Sequence, residues 1–199
     1  MKKILHIISS PRGEASFSIK LGNAIIEKIK IDYPASTVTE INLVKKEFPH
    51  LQQAHINSFF TPAESRSPQD IEAVQVSDEA IQEIIDADII IIGAPLYNFS
   101  IHSSLKAWLD HITRAGVTFK YDENGVTGLV TDKKVYVAMS SGGIYSDGPM
   151  QPYDFVVPYL KAVLGFMGMS DVTIIRVEGT SLPEIKELAL EKAVNNIIL

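Results

Sequence analysis

The chain contains no cysteine. Disulfides, thiolate catalysis, iron–sulfur clusters and cysteine-ligated zinc are thereby excluded, so any redox chemistry needs an organic cofactor or a thiolate-free metal. Long apolar runs are also missing. Those present are short, as at Ile89 to Ile92, against the roughly 18–20 residues a membrane helix needs. The opening Met1-Lys2-Lys3-Ile4-Leu5-His6-Ile7-Ile8 resembles the start of a signal peptide. However, His6 interrupts it and Ser9-Ser10-Pro11-Arg12 ends it too early for a hydrophobic leader core. The expectation is a cytoplasmic protein with no membrane partner. The formal net charge is -6 with no concentrated Lys/Arg block, a poor match to nucleic acid. Internal repeats and low-complexity tracts are absent. So are the GxGxxG, GxxxxGK(S/T) and GxSxG patterns of dinucleotide folds, P-loops and serine hydrolases. The spacing of His6, His50, His55, His102 and His111 offers no metal-ligand set, and no metal site is expected.

What remains is an ordinary globular composition, 46% hydrophobic and 21% charged over 199 residues, expected to form one domain over 1–199. Residues 2–10 read as a buried strand stopped by Pro11 and Gly13. Phe17, Leu21, Ala24, Ile25 and Ile29 recur at helical spacing over 16–30. A second strand covers 37–43, and 45–70, with three prolines, reads as irregular surface chain. A helix over 77–86 with Ser77 as its cap leads to an apolar central strand over 88–93. Then come a helix over 101–115, a β-hairpin excursion over 117–131 signalled by Asn124-Gly125, and a strand over 134–139. A helix near 152–167, a strand over 172–177 and a helix opened by Pro183 complete the pattern. Five strand–helix alternations predict an α/β, doubly wound, five-stranded parallel sheet; the alternation does not fix strand order, but five strands suit the flavodoxin-like order 2-1-3-4-5 better than the six-stranded dinucleotide fold.

Ligands of such sheets bind beyond the carboxyl ends of the strands. Three segments fall there. In Ser9 to Ser18, the hydroxyls of Ser10, Ser16 and Ser18 and the first amides of a helix suit a phosphate, and Arg12 adds a charge. Ala94-Pro95-Leu96-Tyr97-Asn98-Phe99 offers an amide between two aromatics, suited to a flat ring with a polar edge. Ser140-Ser141-Gly142-Gly143 lets the backbone approach a ligand closely. Each also fits a purely structural role: Ser16 as a cap, Asn98 as a turn residue, the glycines as a flexible turn.

On these residues the chain resembles the FMN-dependent NADH-azoreductases, also described as FMN-dependent NADH:quinone oxidoreductases. The resemblance covers nearly the whole chain. It is strongest at Ala94 to Phe99, at Arg114-Ala-Gly-Val-Thr-Phe119, at Asn124-Gly125 with Gly128-Leu-Val130, and at Ser141 to Ile144 followed by Asp147-Gly-Pro149. It implies a flavodoxin-like homodimer with one FMN per subunit near the interface. FMN phosphate would be held at Ser10, Ser16, Phe17 and Ser18. The ring contacts carry over to Leu96, Tyr97, Asn98 and Phe99, then Ser140, Ser141, Gly142 and Gly143. NADH would be the electron donor, and quinones or azo compounds the flat aromatic acceptors. The flavin carries the reaction, so no catalytic side chain is expected. Phe119, Tyr121 and Phe60 (or Phe59) are candidates for the acceptor wall beside Phe99, with core or dimer packing as their other reading. Leu96 stands where Met also occurs in the family, Ser141 where other small or polar residues occur, and 45–70 matches poorly. A non-enzymatic flavodoxin-like electron carrier is the alternative expectation.

Overall fold

The computed structural model describes residues 1–123 and 125–199, so Asn124 of the expected hairpin turn lies outside the described residues. The elements are β1 (Lys3–Ile8), α1 (Phe17–Asp32), β2 (Thr37–Asn42), α2 (Gln53–Phe60), α3 (Pro68–Asp86), β3 (Ile89–Pro95), α4 (Ser103–Ile112), β4 (Phe119–Asp122), β5 (Gly125–Gly128), β6 (Lys134–Ser140), α5 (Val156–Phe166), β7 (Asp171–Val177) and α6 (Ala189–Asn195). Five strands form one sheet in the order β2-β1-β3-β6-β7, every pair parallel. Counted within that sheet the order is 2-1-3-4-5, the one that five strands suit. Among the described residues no helix is long and apolar enough to cross a membrane.

The period of two along each strand splits the core into two halves. Leu5, Ile7, Ile90, Ile92, Val135, Val137 and Met139 pack against α3, α4 and α5, around the fully buried Trp108. Ile4, Ile89, Ile91, Tyr136, Ala138 and Ile175 pack against Leu21, Ile25 and Ile29 of α1 and Ala189 and Ala193 of α6. A central strand covered on both faces has no polar side to show. That is why Asp88 to Gly93 reads as a continuous apolar run.

Several boundaries differ from the sequence expectation. The segment 45–70 is not wholly irregular, because it contains α2. Two contacts close this short helix: the Gln52 N–H donates to His55 Nδ1 at 3.0 Å, and Phe59 lies against the Arg114 guanidinium, 4.7 Å from ring centroid to Cζ. α3 starts nine residues before Ser77, at Pro68. Its cap is Ser67, whose Oγ accepts the Asp70 N–H while Asp70 accepts the Ser67 N–H. Hydrogen bonds from Ser67 and Ser58 hold the Asp70 carboxyl below the usual carboxylate range. Ser77 is buried in mid-helix, donating to the His111 carbonyl and accepting from Arg114 Nη1. The expected helix near 152–167 divides into a tight turn at Gly148–Tyr153 and α5, and the last helix begins at Ala189 rather than at Pro183.

The 117–131 excursion is the antiparallel pair β4–β5. Gly128 and Gly168 meet backbone to backbone, so that a Cβ on Gly128 would lie 2.2 Å from the Gly168 nitrogen. The Val130 N–H donates to the Met167 carbonyl at 2.9 Å, completing the dock. The Arg114 to Phe119 motif is the knot that turns α4 into this hairpin. Buried Thr118 receives the Arg114 N–H on Oγ1 and donates to the Ile112 carbonyl.

Candidate functional site

The chain leaves β1, β3, β6 and β7 at the same end of the sheet, and four loops meet there. After β1, Ser9 is buried and its Oγ donates to the Gly93 carbonyl at 2.6 Å, tying the loop to β3. A tight turn at Gly13–Ala15 brings the chain to Ser16, whose Oγ accepts the Ile19 N–H at 3.4 Å and caps α1. Ser18 lies fully buried behind it, 3.0 Å between hydroxyls. The first N–H groups of α1 have no partner within the helix and lie at this end.

After β3 the Leu96 N–H donates to the Ser140 carbonyl at 2.8 Å, joining the two central loops. Tyr97 and Ser100 exchange backbone hydrogen bonds of 2.9 and 3.0 Å across Asn98 and Phe99, both with positive φ. Phe99 is 41% exposed and faces Tyr153 and Tyr145 of the loop after β6, with ring centroids 5.4 and 6.5 Å apart. That loop is itself braced by the chain after β7. Ser141 Oγ donates to the Gly143 carbonyl, and the N–H groups of Gly179, Thr180 and Ser181 donate to the carbonyls of Gly143, Ser141 and Gly142. Gly142 and Ser181 approach closely at this brace: a Cβ on Gly142 would stand 2.7 Å from Ser181 Oγ, and the hydroxyl would have to turn away.

Together these loops enclose a cleft of about 190 Å³. Eight of the twelve expected cofactor residues line it: Ser10, Ser16, Phe17, Leu96, Tyr97, Ser140, Ser141 and Gly142. Ser18 supports it from behind, Gly143 braces it, and Asn98 and Phe99 form the turn at its rim. Arg12 is the one charged side chain among the described lining residues, and the rest of the donor set is hydroxyl and amide. Neutral donors at a helix start with a single cation suit a phosphate ester. The volume is below the roughly 300–1,000 Å³ typical of ligand pockets, so a ligand carrying a ring must extend over the rim. From Tyr97 a second groove, about 620 Å³, runs on past Asn98 and His102 to Lys106 and Tyr159. His102 Nδ1 accepts the Ser104 N–H at 3.2 Å, which assigns the ring proton to Nε2, and burial lowers its pKa. Of two larger grooves, one lies at the opposite ends of the strands, and the other runs along β7 and α6 and reaches Ile144, Ser146 and Glu178 on the outer side of the loop after β6. Position at the strand tips outweighs volume here.

The acceptor-wall candidates do not line the cleft. Phe119 is 8% exposed and packs on Phe166 at 4.4 Å, while Tyr121 and Phe60 are 69% and 73% exposed. The cleft residues that the sequence reading missed are Pro95, Thr180 and Ser181. Pro95 lies within a segment already singled out, and the signal for Thr180 and Ser181 was a hydroxyl pair following Gly179 just beyond the last strand.

A family model described as a flavodoxin-like fold matches residues 2–198. The chain is 48% identical over 198 residues, 99% of this chain and 97% of the other, to an FMN-dependent NADH:quinone oxidoreductase from Herminiimonas arsenicoxydans. Its structure is similar to the crystal structure of an azoreductase from Bacillus anthracis str. Sterne, with a TM-score of 0.90, 31% identity, and 98% and 96% of the two chains covered. An FMN-dependent NADH-azoreductase from Bacillus anthracis str. Ames Ancestor, solved in complex with FMN, is similar with a TM-score of 0.85, 29% identity, and 98% and 97% covered.

Proposed function

The chain belongs to the flavodoxin-like fold family, and from that premise we propose that it is an FMN-dependent NADH oxidoreductase that reduces quinones to hydroquinones and cleaves aromatic azo bonds. The observation that carries the reading is the strand-tip cleft, lined by hydroxyl and amide donors, with the Phe99–Tyr153 aromatic pair on the loops beside it. The donor set fits FMN. Ser10 and Ser16 with the Phe17 amide would hold the phosphate, with Ser18 bonded to Ser16 from behind, and Leu96 to Phe99 and Ser140 to Gly143 would border the ring. FMN, when bound, supplies hydride acceptance from NADH and hydride donation to the acceptor.

The chain's own residues bind and orient. The four loops are locked to one another by backbone hydrogen bonds, so the donors are pre-positioned and need little reorganisation on binding. With FMN bound, the Asn98 side chain and the amides of Gly142 and Gly143 would be the donors available to a negative charge at the ring's polar edge. The aromatic rim offers a flat face to the acceptor and keeps water from it. One NADH and one proton reduce one quinone, and full cleavage of an azo bond takes two of each. The reading takes the chain as a single FMN-binding domain and as a homodimer. Half-exposed Tyr153 and Phe155 beside the cleft and exposed Phe60 and Tyr121 support the dimer as apolar surface for a second copy. A cytoplasmic address, where NADH is regenerated, goes with it.

The purified protein should be yellow and release FMN on denaturation. Initial rates with NADH and menadione should give parallel double-reciprocal lines. A colourless protein indifferent to added FMN would overturn the assignment. The electron-carrier alternative predicts bound FMN that NADH alone fails to bleach. Light scattering and cell fractionation test the dimer and the address.

A further inference from the structure

Beside the cleft, residues 143–155 form its outer wall, and their polar groups are tied to the end of β7. Glu178 Oε1 accepts the N–H groups of Tyr145 at 2.8 Å and Ser146 at 2.9 Å, while Oε2 accepts the Ser146 hydroxyl. Arg176 donates from Nη1 to Glu178 at 3.4 Å and from Nη2 to Asp154 at 2.5 Å. Asp154 in turn accepts the N–H groups of Val156 and Val157 at 3.0 and 3.1 Å, capping α5. The side chains of Asp154 and Glu178 are 7% and 13% exposed, so the two carboxylates are largely buried, while Ser146 and the Arg176 head open onto the groove along β7 and α6.

These bonds fix both ends of the Tyr145–Asp154 stretch to one strand. Between the anchors stand Tyr145 and Tyr153, whose rings face Phe99. The Phe155 N–H donates to the Phe99 carbonyl at 3.1 Å, so the backbone closes the same circuit. Neither Arg176 nor Glu178 is among the residues lining the cleft. Their influence on a ligand runs through the aromatic rim.

We propose that Arg176 and Glu178 are positioning residues for the electron acceptor: by fixing the Tyr145–Asp154 stretch they hold Tyr145 and Tyr153 against Phe99 and set the rim on which a flat acceptor packs. The proposal rests on the oxidoreductase reading above. An aromatic wall binds through area and alignment, and a shift of about 1 Å in such a wall is enough to weaken a productive pose. The rim matters most for acceptors of two or more fused rings. A single-ring quinone has less area to lay across the rim and should depend on it less.

FMN-loaded wild type, Glu178→Gln, Glu178→Ala, Arg176→Lys, Phe99→Leu and Glu178→Ala/Phe99→Leu are compared with menadione and 1,4-benzoquinone, rates expressed per bound FMN. Glu178→Ala should raise KM for menadione about tenfold and KM for benzoquinone less than about twofold, with kcat nearly unchanged. Glu178→Gln keeps an oxygen for the two N–H groups and should fall between. The double variant should be no worse than Phe99→Leu alone, because both changes act on one wall. The proposal fails if both quinones shift together, if the two losses multiply, or if only thermal stability changes. Should Glu178→Ala not fold, Glu178→Gln and Arg176→Lys decide by the same menadione-to-benzoquinone ratio, and an unchanged ratio in both refutes it. A wild type that oxidises NADH with neither quinone sinks the functional reading beneath it, which is a different result.

Discussion

Acid should destabilise this protein well above the pH at which carboxylates titrate, because of one histidine. His6 sits in the middle of β1, fully buried against α1, and neither ring nitrogen has a hydrogen-bond partner. Two effects oppose each other. Glu40 lies 3.7 Å from Nδ1 and favours the charged ring, but its own side chain is 55% exposed and water screens it. Burial favours the neutral ring, and it wins, lowering the pKa from 6.5 to about 4. The folded state therefore stays unprotonated at a pH where the unfolded chain takes up a proton. Stability is fully present above pH 6.5 and falls as the pH drops from about 6.5 to about 4, by roughly 1.4 kcal/mol per pH unit in mid-window. The accumulated loss is about 2 kcal/mol at pH 5 and about 3 kcal/mol at pH 4. Burial also lowers the pKa of His102 and His111, so the wild-type profile contains their share as well. Urea titrations between pH 4.5 and 7.5, at fixed protein and FMN concentration, should be run on wild type and His6→Leu. The variant should lose about one proton's worth of slope between pH 5 and 6.5. Profiles that run parallel, or a His6 ring resonance that titrates near 6.5, would refute the reasoning.

Other perturbations give sharper local readouts. Gly128→Ala places a methyl group 2.2 Å from rigid backbone at Gly168, so the hairpin should lose its dock. The expected cost is about 1–3 kcal/mol, read as a lower urea midpoint and faster proteolysis within 119–128. Ser16→Ala removes the cap of α1 and one cleft hydroxyl. It should cost about 1 kcal/mol of stability and weaken FMN binding about tenfold by fluorescence titration, with Ser16→Thr largely restoring both. Arg114→Lys loses the planar fork that bonds Ser77 and Asp78 while standing over the Phe59 ring. A loss of about 2 kcal/mol is expected, with hydrogen exchange rising over 53–60, and unchanged exchange there would mean that α2 stands without this contact.

The sheet was legible because burial on both faces leaves a mark in one dimension. Asp88 to Gly93 can scarcely be anything but a central strand, and three loops rich in serine, asparagine and glycine follow strand ends. Twelve expected cofactor residues consequently gather at one end of the sheet. The misplaced helices have separate causes. Ser67-Pro68-Gln69-Asp70 holds a complete start signal, but Pro68 beside Pro49 and Pro62 suggested a loop, although proline suits the first helical position. α2 has eight residues, too few to be stable alone. It exists because Phe59 meets Arg114, some 55 positions further along the chain, and because the His111 ring bonds the Pro49 carbonyl at 2.8 Å. No local pattern contains those contacts. Ser77 was misread for a related reason: its partners, the His111 carbonyl and Arg114, lie on another helix end.

The turn after β3 shows a deeper limit. Asn98 and Phe99 have φ of +48° and +72° between two residues that exchange both backbone bonds. That is the two-residue hairpin turn which prefers Asn-Gly. Asn98 obeys the preference and Phe99 breaks it, at a cost of about 1–2 kcal/mol for a bulky left-handed residue. Glycine there would fold more easily and would present no ring. The cost persists because the surroundings fix the backbone from both sides: Ser100 pairs with Tyr97, and the Phe99 carbonyl accepts from Phe155. An aromatic ring is thereby stood up at the tip of a central strand, facing Tyr145 and Tyr153 across the mouth of the cleft. Sequence preferences report what a chain does cheaply. A position held against its preference, at the point where the binding loops converge, is where a ring is worth more to the site than an easy turn is to the fold.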